Sequence, residues 1–258
     1  MTAIDLSTAR ILVTNDDGIH APGIKVLEKV ARSLSKDVWT VAPEEEHSGA
    51  GHSLTLRYPL RLRQLSRRRF AVDGTPTDAV LLGVQVLLKA KRPTLVLSGV
   101  NRGGNLGEDV TYSGTVAAAM EGTQLGIPSI ALSQCTRPGQ PVYWSATEHH
   151  AAEVIRRVCA VGWPRNVLIN LNFPPCPPAS VTGIQATSQG RHKIGGALQE
   201  GRDPRGMSYY WIATTRDEDE AVEGTDLHAV RNNRISVTPL FLDLTHRPTL
   251  KPLAEIFP

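Results

Sequence analysis

The chain has 258 residues, with 28 Lys and Arg against 25 Asp and Glu, a formal net charge of +3 at pH 7. That length suits one large domain with a sizeable core, and a composition of 41% apolar and 21% charged residues excludes a disordered chain. So small a net charge is no signal for nucleic acid or membrane by itself.

Arg10-Ile-Leu-Val-Thr-Asn15 is a short, β-branched apolar run, as a strand buried on both faces requires. Behind Pro22 and Gly23, the residues Ile24, Leu27, Val30, Ala31 and Leu34 recur at helical spacing. Val38–Ala42 predicts the next strand, stopped by Pro43. Thr75-Pro-Thr-Asp78 reads as a capping box with Pro in the first helical position, opening a helix through Val86. Thr94–Ser98 predicts a third buried strand, Ser113–Thr123 an alanine-rich helix, and Ile127–Ser133 a further strand. This alternation predicts a Rossmann-like α/β fold, a doubly wound and mostly parallel sheet, over residues 1–135.

Residues 136–258 complete the same single domain. Ala151, Val154, Ile155, Val158 and Val161 mark a helix, and Asn166–Asn172 a strand that ends at Phe173-Pro-Pro-Cys-Pro-Pro178. From about 189 to 223 the chain is rich in Gly, Arg and acidic residues around one apolar patch, Tyr209-Tyr-Trp-Ile212. A segment that cannot bury itself predicts a protruding β-hairpin arm that meets a second subunit. Met1–Arg10 lacks the apolar core of a signal peptide, and Val80–Leu88 is too short to span a bilayer. Cys135, Cys159 and Cys176 form no C-x-x-C, which suits reduced thiols. A soluble cytoplasmic protein with no membrane partner is expected.

Ligands of open α/β sheets bind beyond the carboxyl ends of the strands. Asn15-Asp-Asp-Gly18 follows the first strand. Two carboxylates about 4 Å apart repel by ~1 kcal/mol in water and ~4 kcal/mol at an effective dielectric of 20. A cation turns that cost into a gain; an Asx-turn with capping aspartates explains the same residues without one. Glu44–Ser53 offers the hydroxyls of Ser48 and Ser53, the imidazoles of His47 and His52, and Gly49 and Gly51 for close backbone approach. Leu54 stands where a dinucleotide fingerprint needs its third glycine, and the histidines lack an H-E-x-x-H frame, which disfavours zinc. Ser98–Gly107 follows the third strand, and Ser113-Gly-Thr115 opens a helix whose N–H groups and dipole favour an anion. Plain capping by Ser113 is the simpler account of that residue alone, and no P-loop occurs. Together the three loops bring carboxylates, Asn101, a serine and an anion-binding helix start to one sheet end. Oxygen-only ligation selects Mg²⁺, Mn²⁺ or Ca²⁺ over zinc. A hard cation beside an anion cradle is the minimum needed to hydrolyse a phosphate monoester.

At these residues the sequence resembles the SurE family, the stationary-phase survival nucleotidases. The likeness is carried by Ile11–Ile19, Val41-Ala-Pro43, Ser48-Gly-Ala-Gly-His-Ser53 and Gly74-Thr-Pro-Thr-Asp78. It continues through Ser98-Gly-Val-Asn-Arg-Gly103, Ser113-Gly-Thr115, Gly126-Ile-Pro-Ser129, Thr225-Asp226 and Ser236-Val-Thr-Pro-Leu240. The resemblance implies a metal-dependent 5'(3')-nucleotidase acting on nucleoside monophosphates, with one divalent cation per subunit held by Asp16, Asp17, Ser48 and Asn101. It places Asn15, Gly51, His52, Ser53, Ser113, Gly114 and Thr115 toward phosphate and substrate. It also implies homodimers or homotetramers built by exchange of C-terminal arms. In the mechanism expected here, a metal-activated water attacks phosphorus beside Asp16 and Asp17, with His52 the candidate general acid. The chain departs from the family at Asn232-Asn233-Arg234, where a Gly followed by an aromatic is common, so the local turn is expected to differ.

A receiver-like signalling domain also carries an acidic pair after its first strand, but Asn101 follows the third strand here where a phospho-acceptor Asp is needed. The failed glycine fingerprint disfavours a dinucleotide oxidoreductase. Arg57, Arg61, Arg63, Arg67, Arg68 and Arg69 make a basic run that is either a solvated face or a means of steering polyanions such as polyphosphate. No stable nucleic-acid partner is expected.

Overall fold

In the computed structural model, which describes residues 2–194, 198–212, 216–218 and 222–257, the first apolar run is strand β1 (Arg10–Thr14). Helix α1 (Pro22–Leu34) buries Ile24, Leu27, Val30, Ala31 and Leu34, the stripe expected from their spacing. Strand β2 (Asp37–Pro43) follows, then an antiparallel pair, β3 (Leu62–Ser66) and β4 (Arg69–Val72). The capping box of α2 (Pro76–Leu82) forms as its spacing requires: Thr75 Oγ1 accepts the Asp78 N–H at 3.1 Å and Asp78 Oδ2 accepts the Thr75 N–H at 2.9 Å. Past Leu82 the helix continues with π geometry over Gly83–Leu87.

Strand β5 (Leu95–Arg102) runs four residues beyond Ser98, so the region expected to be a loop from Ser98 onward begins as strand. An irregularity in its pairing lies between Ser98 and Asn101. A 3-10 turn (Gly107–Thr111) leads into α3 (Gly114–Gln124), followed by β6 (Ser129–Gln134), α4 (Trp144–Val161) and β7 (Val167–Phe173). Then come β8 (Gly183–Ala186), β9 (His192–Ile194), β10 (Leu198–Arg202), β11 (Ser208–Ile212) and β12 (Arg216–Glu218). Helix α5 (Asp226–Arg231), β13 (Arg234–Phe241) and α6 (Arg247–Ile256) end the chain.

Among the described residues nine strands share one sheet in the order β3-β4-β2-β1-β5-β6-β7-β13-β8. Its centre, from β4 to β7, is parallel, and β3 and β13 pair antiparallel to their neighbours β4 and β7. The apolar residues of α1 and α4 pack on one face, and those of α2 and α3 on the other, so the central strands are buried from both sides. This is the doubly wound α/β sheet the alternation predicts. The strand order reverses between β1 and β5, because the chain runs outward through β2 and β4 and returns to continue from β5 in the other direction.

Within the segment expected to protrude, β10 pairs antiparallel with β11 and β9 with β12, while residues 195–197, 213–215 and 219–221 lie outside the described ones. Tyr210, Trp211 and Ile212 are exposed. The basic run turns out to be the β3–β4 edge, where Arg61 pairs with Asp73, Arg63 with Glu44, Arg68 with Asp37 and Arg69 with Glu28. Most of its charge is thereby neutralised locally. At the departure from the family pattern, Asn233 takes a left-handed φ of 56°, so it occupies the conformation a glycine would supply.

Candidate active site

The reversal between β1 and β5 creates the crevice in which an open sheet binds ligand. Asp16 and Asp17 leave the carboxyl end of β1, and Asn101 and Arg102 end β5 beside them. Helix α3 starts against this point: a Cβ on Gly114 would lie 2.7 Å from Asp16 Cβ and 3.0 Å from its Oδ2, so glycine alone lets the helix approach so closely. The Ser113 side chain caps the helix by accepting the Val116 N–H at 3.0 Å. The second loop is tied to the first by the His47 N–H, which donates to the Asp16 carbonyl at 2.8 Å.

Asp16 is only 4% exposed, and burial raises its pKa from 3.8 to about 6. The Thr115 hydroxyl, which donates to Oδ1, opposes that shift, and the charge of Asp17 adds to it. Asp17 is also raised by burial, with Glu46 adding, while the Arg102 N–H at 3.1 Å from Oδ2 pulls the other way. Ser48 donates its hydroxyl to Glu46 Oε1 at 2.7 Å, and Asn101 donates its amide to the Gly103 carbonyl at 3.0 Å.

Asp16, Ser48, Asn101 and Ser113 line one cavity of about 670 Å³, large enough for a small ligand. Asp17 instead lines a neighbouring pocket of about 340 Å³ with Glu46 and Arg102, and Arg102 borders both. The other expected residues stand behind or beside the cavity. Asn15 is fully buried and donates to the Gly18 carbonyl at 2.9 Å, holding the turn. Gly51 donates its N–H to the Tyr112 carbonyl at 3.1 Å, and the Ser53 carbonyl accepts the Thr75 hydroxyl at 2.8 Å. Thr115, expected to face phosphate, is buried with its hydroxyl on Asp16. His52 is outside the lining, with Nε2 3.1 Å from Glu121 Oε2, two turns along α3.

The lining also includes residues that sequence reasoning missed. Arg102 belongs to the Ser98–Gly103 motif and faces the cavity beside Asn101. Asp109 and Tyr112 precede the helix start, and Leu198 and Ile212, register partners across the β10–β11 hairpin, close the cavity with apolar surface. Asn105 is fixed by a buried polar network: its N–H donates to Asn172 Oδ1 at 2.8 Å, its side chain to Ser133 at 2.8 Å, and its carbonyl accepts from Asn170 at 2.8 Å. No local signal announces that network, because its members come from two strands and a loop.

Whether the residues suit a divalent cation is decided by two features. Asp16 is buried and Asp17 half-buried, and both are raised in pKa, so negative charge is under-compensated here and a cation would relieve it. The Asn101 hydrogen bond engages its amide nitrogen, not its carbonyl oxygen. Among the described residues no three His, Cys, Asp or Glu side chains cluster as metal ligands. A set of two carboxylates completed by neutral oxygens therefore fits a hard cation and not zinc.

Three comparisons bear on these residues. The family model described as Survival protein SurE matches residues 11–196. The protein named 5'-nucleotidase SurE from Paramagnetospirillum magneticum is 64% identical over 253 residues, covering 98% of this chain and 97% of that protein. Its namesake from Rhodospirillum rubrum is 56% identical over 258 residues, covering 98% of both. The crystal structure of SurE protein from Aquifex aeolicus superposes with a TM-score of 0.84 at 42% identity, covering 96% of this chain and 99% of that one. With the crevice residues lying inside the matched span and the likeness running almost end to end, this chain belongs to the SurE family.

Proposed function

We propose that this chain is a 5'-nucleotidase, a divalent-metal-dependent phosphatase that releases phosphate from nucleoside monophosphates. The observation that carries the reading is the convergence of Asp16, Ser48, Asn101 and Ser113 on one cavity at the sheet's reversal point. The names of the similar proteins supply the substrate class. Asp16, Asp17, Ser48 and Asn101 would hold one Mg²⁺ or Mn²⁺. That cation supplies Lewis-acid polarisation of a phosphoryl oxygen and activation of a water.

The chain's own groups bind and orient. Ser113 consumes the Val116 N–H in capping, which leaves the Gly114 N–H at the helix start for a phosphoryl oxygen. Arg102 borders the cavity and brings a positive charge that both carboxylates lack. Tyr112, Leu198 and Ile212 give the nucleoside an apolar wall while phosphate takes the polar floor. His52 is bonded to Glu121 outside the lining, so no proton transfer is assigned to it. Because the phosphate and not the ribose meets the helix, 3'-monophosphates are accepted as well. The exposed Tyr210 and Trp211 on the β10–β11 hairpin support assembly with a second copy of the chain.

The test is phosphate release from 5'-AMP, 3'-AMP, ADP, ATP and polyphosphate, before and after chelation and on return of Mg²⁺ or Mn²⁺. Loss in chelator with recovery on metal return, and with monophosphates fastest, is expected. Full activity in chelator, or wild-type activity in Asp16→Asn, refutes the metal-dependent reading.

A further inference from the structure

The 3-10 turn Gly107–Thr111 carries Asp109 into the cavity and leads directly to Ser113, yet a helix of this kind has few internal hydrogen bonds. It is held from outside. Asp226, fully buried at the start of α5, accepts the Gly107 N–H on Oδ2 at 3.0 Å and the Gly190 N–H on Oδ1 at 2.8 Å. One carboxylate thus ties the turn to the segment that leads into β9. Gln189 donates its side-chain amide to the Gly107 carbonyl at 3.0 Å, and the His192 N–H donates to Glu108 Oε2 at 2.6 Å. The His192 ring completes the clasp, with Nε2 3.1 Å from Asp109 Oδ2 and side chains 3% and 6% exposed.

The fit leaves no slack, because the space where a Gly107 side chain would stand is filled by His192, whose Cδ2 is 3.1 Å away. From the clasp the connection to chemistry is short. The Asp109 carbonyl accepts the Tyr112 N–H at 3.0 Å and the Ser113 N–H at 3.1 Å, which fixes where α3 begins. Neither Asp226 nor His192 lines the cavity.

We infer that Gln189, His192 and Asp226 form a positioning clamp, which acts through Asp109 to set the Ser113–Gly114 helix start against the phosphate. Carboxylate-to-amide bonds are among the stronger contacts a loop can use, and a misplacement of about 1 Å at a reacting centre costs roughly a hundredfold in rate. The clamp also makes the site depend on the chain at 189–192, which leads on to the exposed β10–β11 pair. The rate effect rests on the nucleotidase reading; the structural effect does not.

The experiment compares wild type, His192→Ala, His192→Gln and Asp226→Asn by hydrogen–deuterium exchange, melting temperature, and kinetics on 5'-AMP with inorganic phosphate as inhibitor. His192→Ala is expected to speed exchange of amides 107–113 about tenfold or more, leave β1 and β5 protected and leave the melting temperature unchanged. Its kcat/KM should fall about tenfold to a hundredfold, and its Ki for phosphate should rise in step. His192→Gln, whose amide nitrogen reaches the position of Nε2 beside Asp109, should recover part of both. Unchanged exchange at 107–113, or wild-type kcat and Ki despite faster exchange, overturns the clamp. So does a loss that comes with faster exchange throughout the sheet and a lower melting temperature, since that is general destabilisation. Wild-type protein inactive on every nucleotide refutes the functional reading, while the exchange rates still decide the clamp.

Discussion

Asp16 is a carboxylate placed where its own charge is costly, so removing that charge should stabilise the metal-free protein. Its pKa stands at about 6 against an ordinary 3.8, a difference of about two units, which corresponds to roughly 3 kcal/mol at neutral pH. Asp16→Asn keeps an acceptor for the Thr115 hydroxyl, and the favourable pull of that bond on the charged form is already contained in the net shift. The gain is therefore about 3 kcal/mol, or roughly 6–12 °C in melting temperature for a chain of this size. The sign follows from proton binding. Between about pH 4 and pH 6 the folded state holds a proton that the unfolded state has released, so stability falls as pH rises through that window. Above it the penalty is complete; below it wild type and variant converge. Calorimetry in chelator at pH 7.5 and pH 4 measures both limits. Added Mg²⁺ or Mn²⁺ should reverse the order at pH 7.5, because binding at about a thousand times Kd stabilises the wild type by about 4.1 kcal/mol and the variant far less. An Asp16→Asn protein no more stable than wild type in chelator at pH 7.5, or equally favoured at pH 4, would refute the reasoning.

Gly114→Ala forces a Cβ to within 2.7 Å of Asp16 Cβ, which should cost about 1–3 kcal/mol and lower phosphate release more than tenfold, read by urea melts and colorimetric phosphate. Asn172→Leu removes the acceptor of the Asn105 N–H at 2.8 Å and one donor to its carbonyl at 3.1 Å, while Asn170 keeps the other. A loss of about 1–3 kcal/mol is expected from the stranded N–H, with a lower kcat as the Gly103–Gly107 loop relaxes. Leu198→Ala combined with Ile212→Ala should raise KM for 5'-AMP more than KM for glycerol phosphate, since only the nucleoside reaches the apolar wall. Equal effects on the two substrates would remove that wall from the site.

The fold was legible where burial imposes a pattern on consecutive residues. β1, α1, β2 and α3 each announce themselves, because a strand covered on both faces must be apolar throughout and a covered helix must carry a stripe. The β3–β4 hairpin did not, because its arginines are held by Glu28, Asp37, Glu44 and Asp73 from other elements, and that pairing is invisible along the chain. The site divides the same way. Asp16, Ser48 and Ser113 sit in recognisable loops, and Asn101 lies near the end of β5. The duties of Thr115 and His52 depend on which side of α3 their neighbours occupy, and local motifs cannot state that. Leu198, Ile212, His192 and Asp226 reach the site across 80 to 120 residues of chain, so only the packed structure relates them to it.

That division explains how a site with so much negative charge can serve an anionic substrate. In the described arrangement the start of α3 already has an anion, since Asp16 takes the Thr115 hydroxyl and abuts Gly114. A phosphate entering the cavity competes with Asp16 for the same helix dipole, and two like charges sharing one terminus repel by several kcal/mol at low dielectric. The crevice resolves the conflict only if positive charge stands between them. Arg102 borders both pockets and supplies one such charge; a divalent cation, held by Asp16 and Asp17 as proposed, would supply two more. On that proposal, the burial that raises these carboxylates in the metal-free chain is the same feature that would tie phosphate binding to the cation.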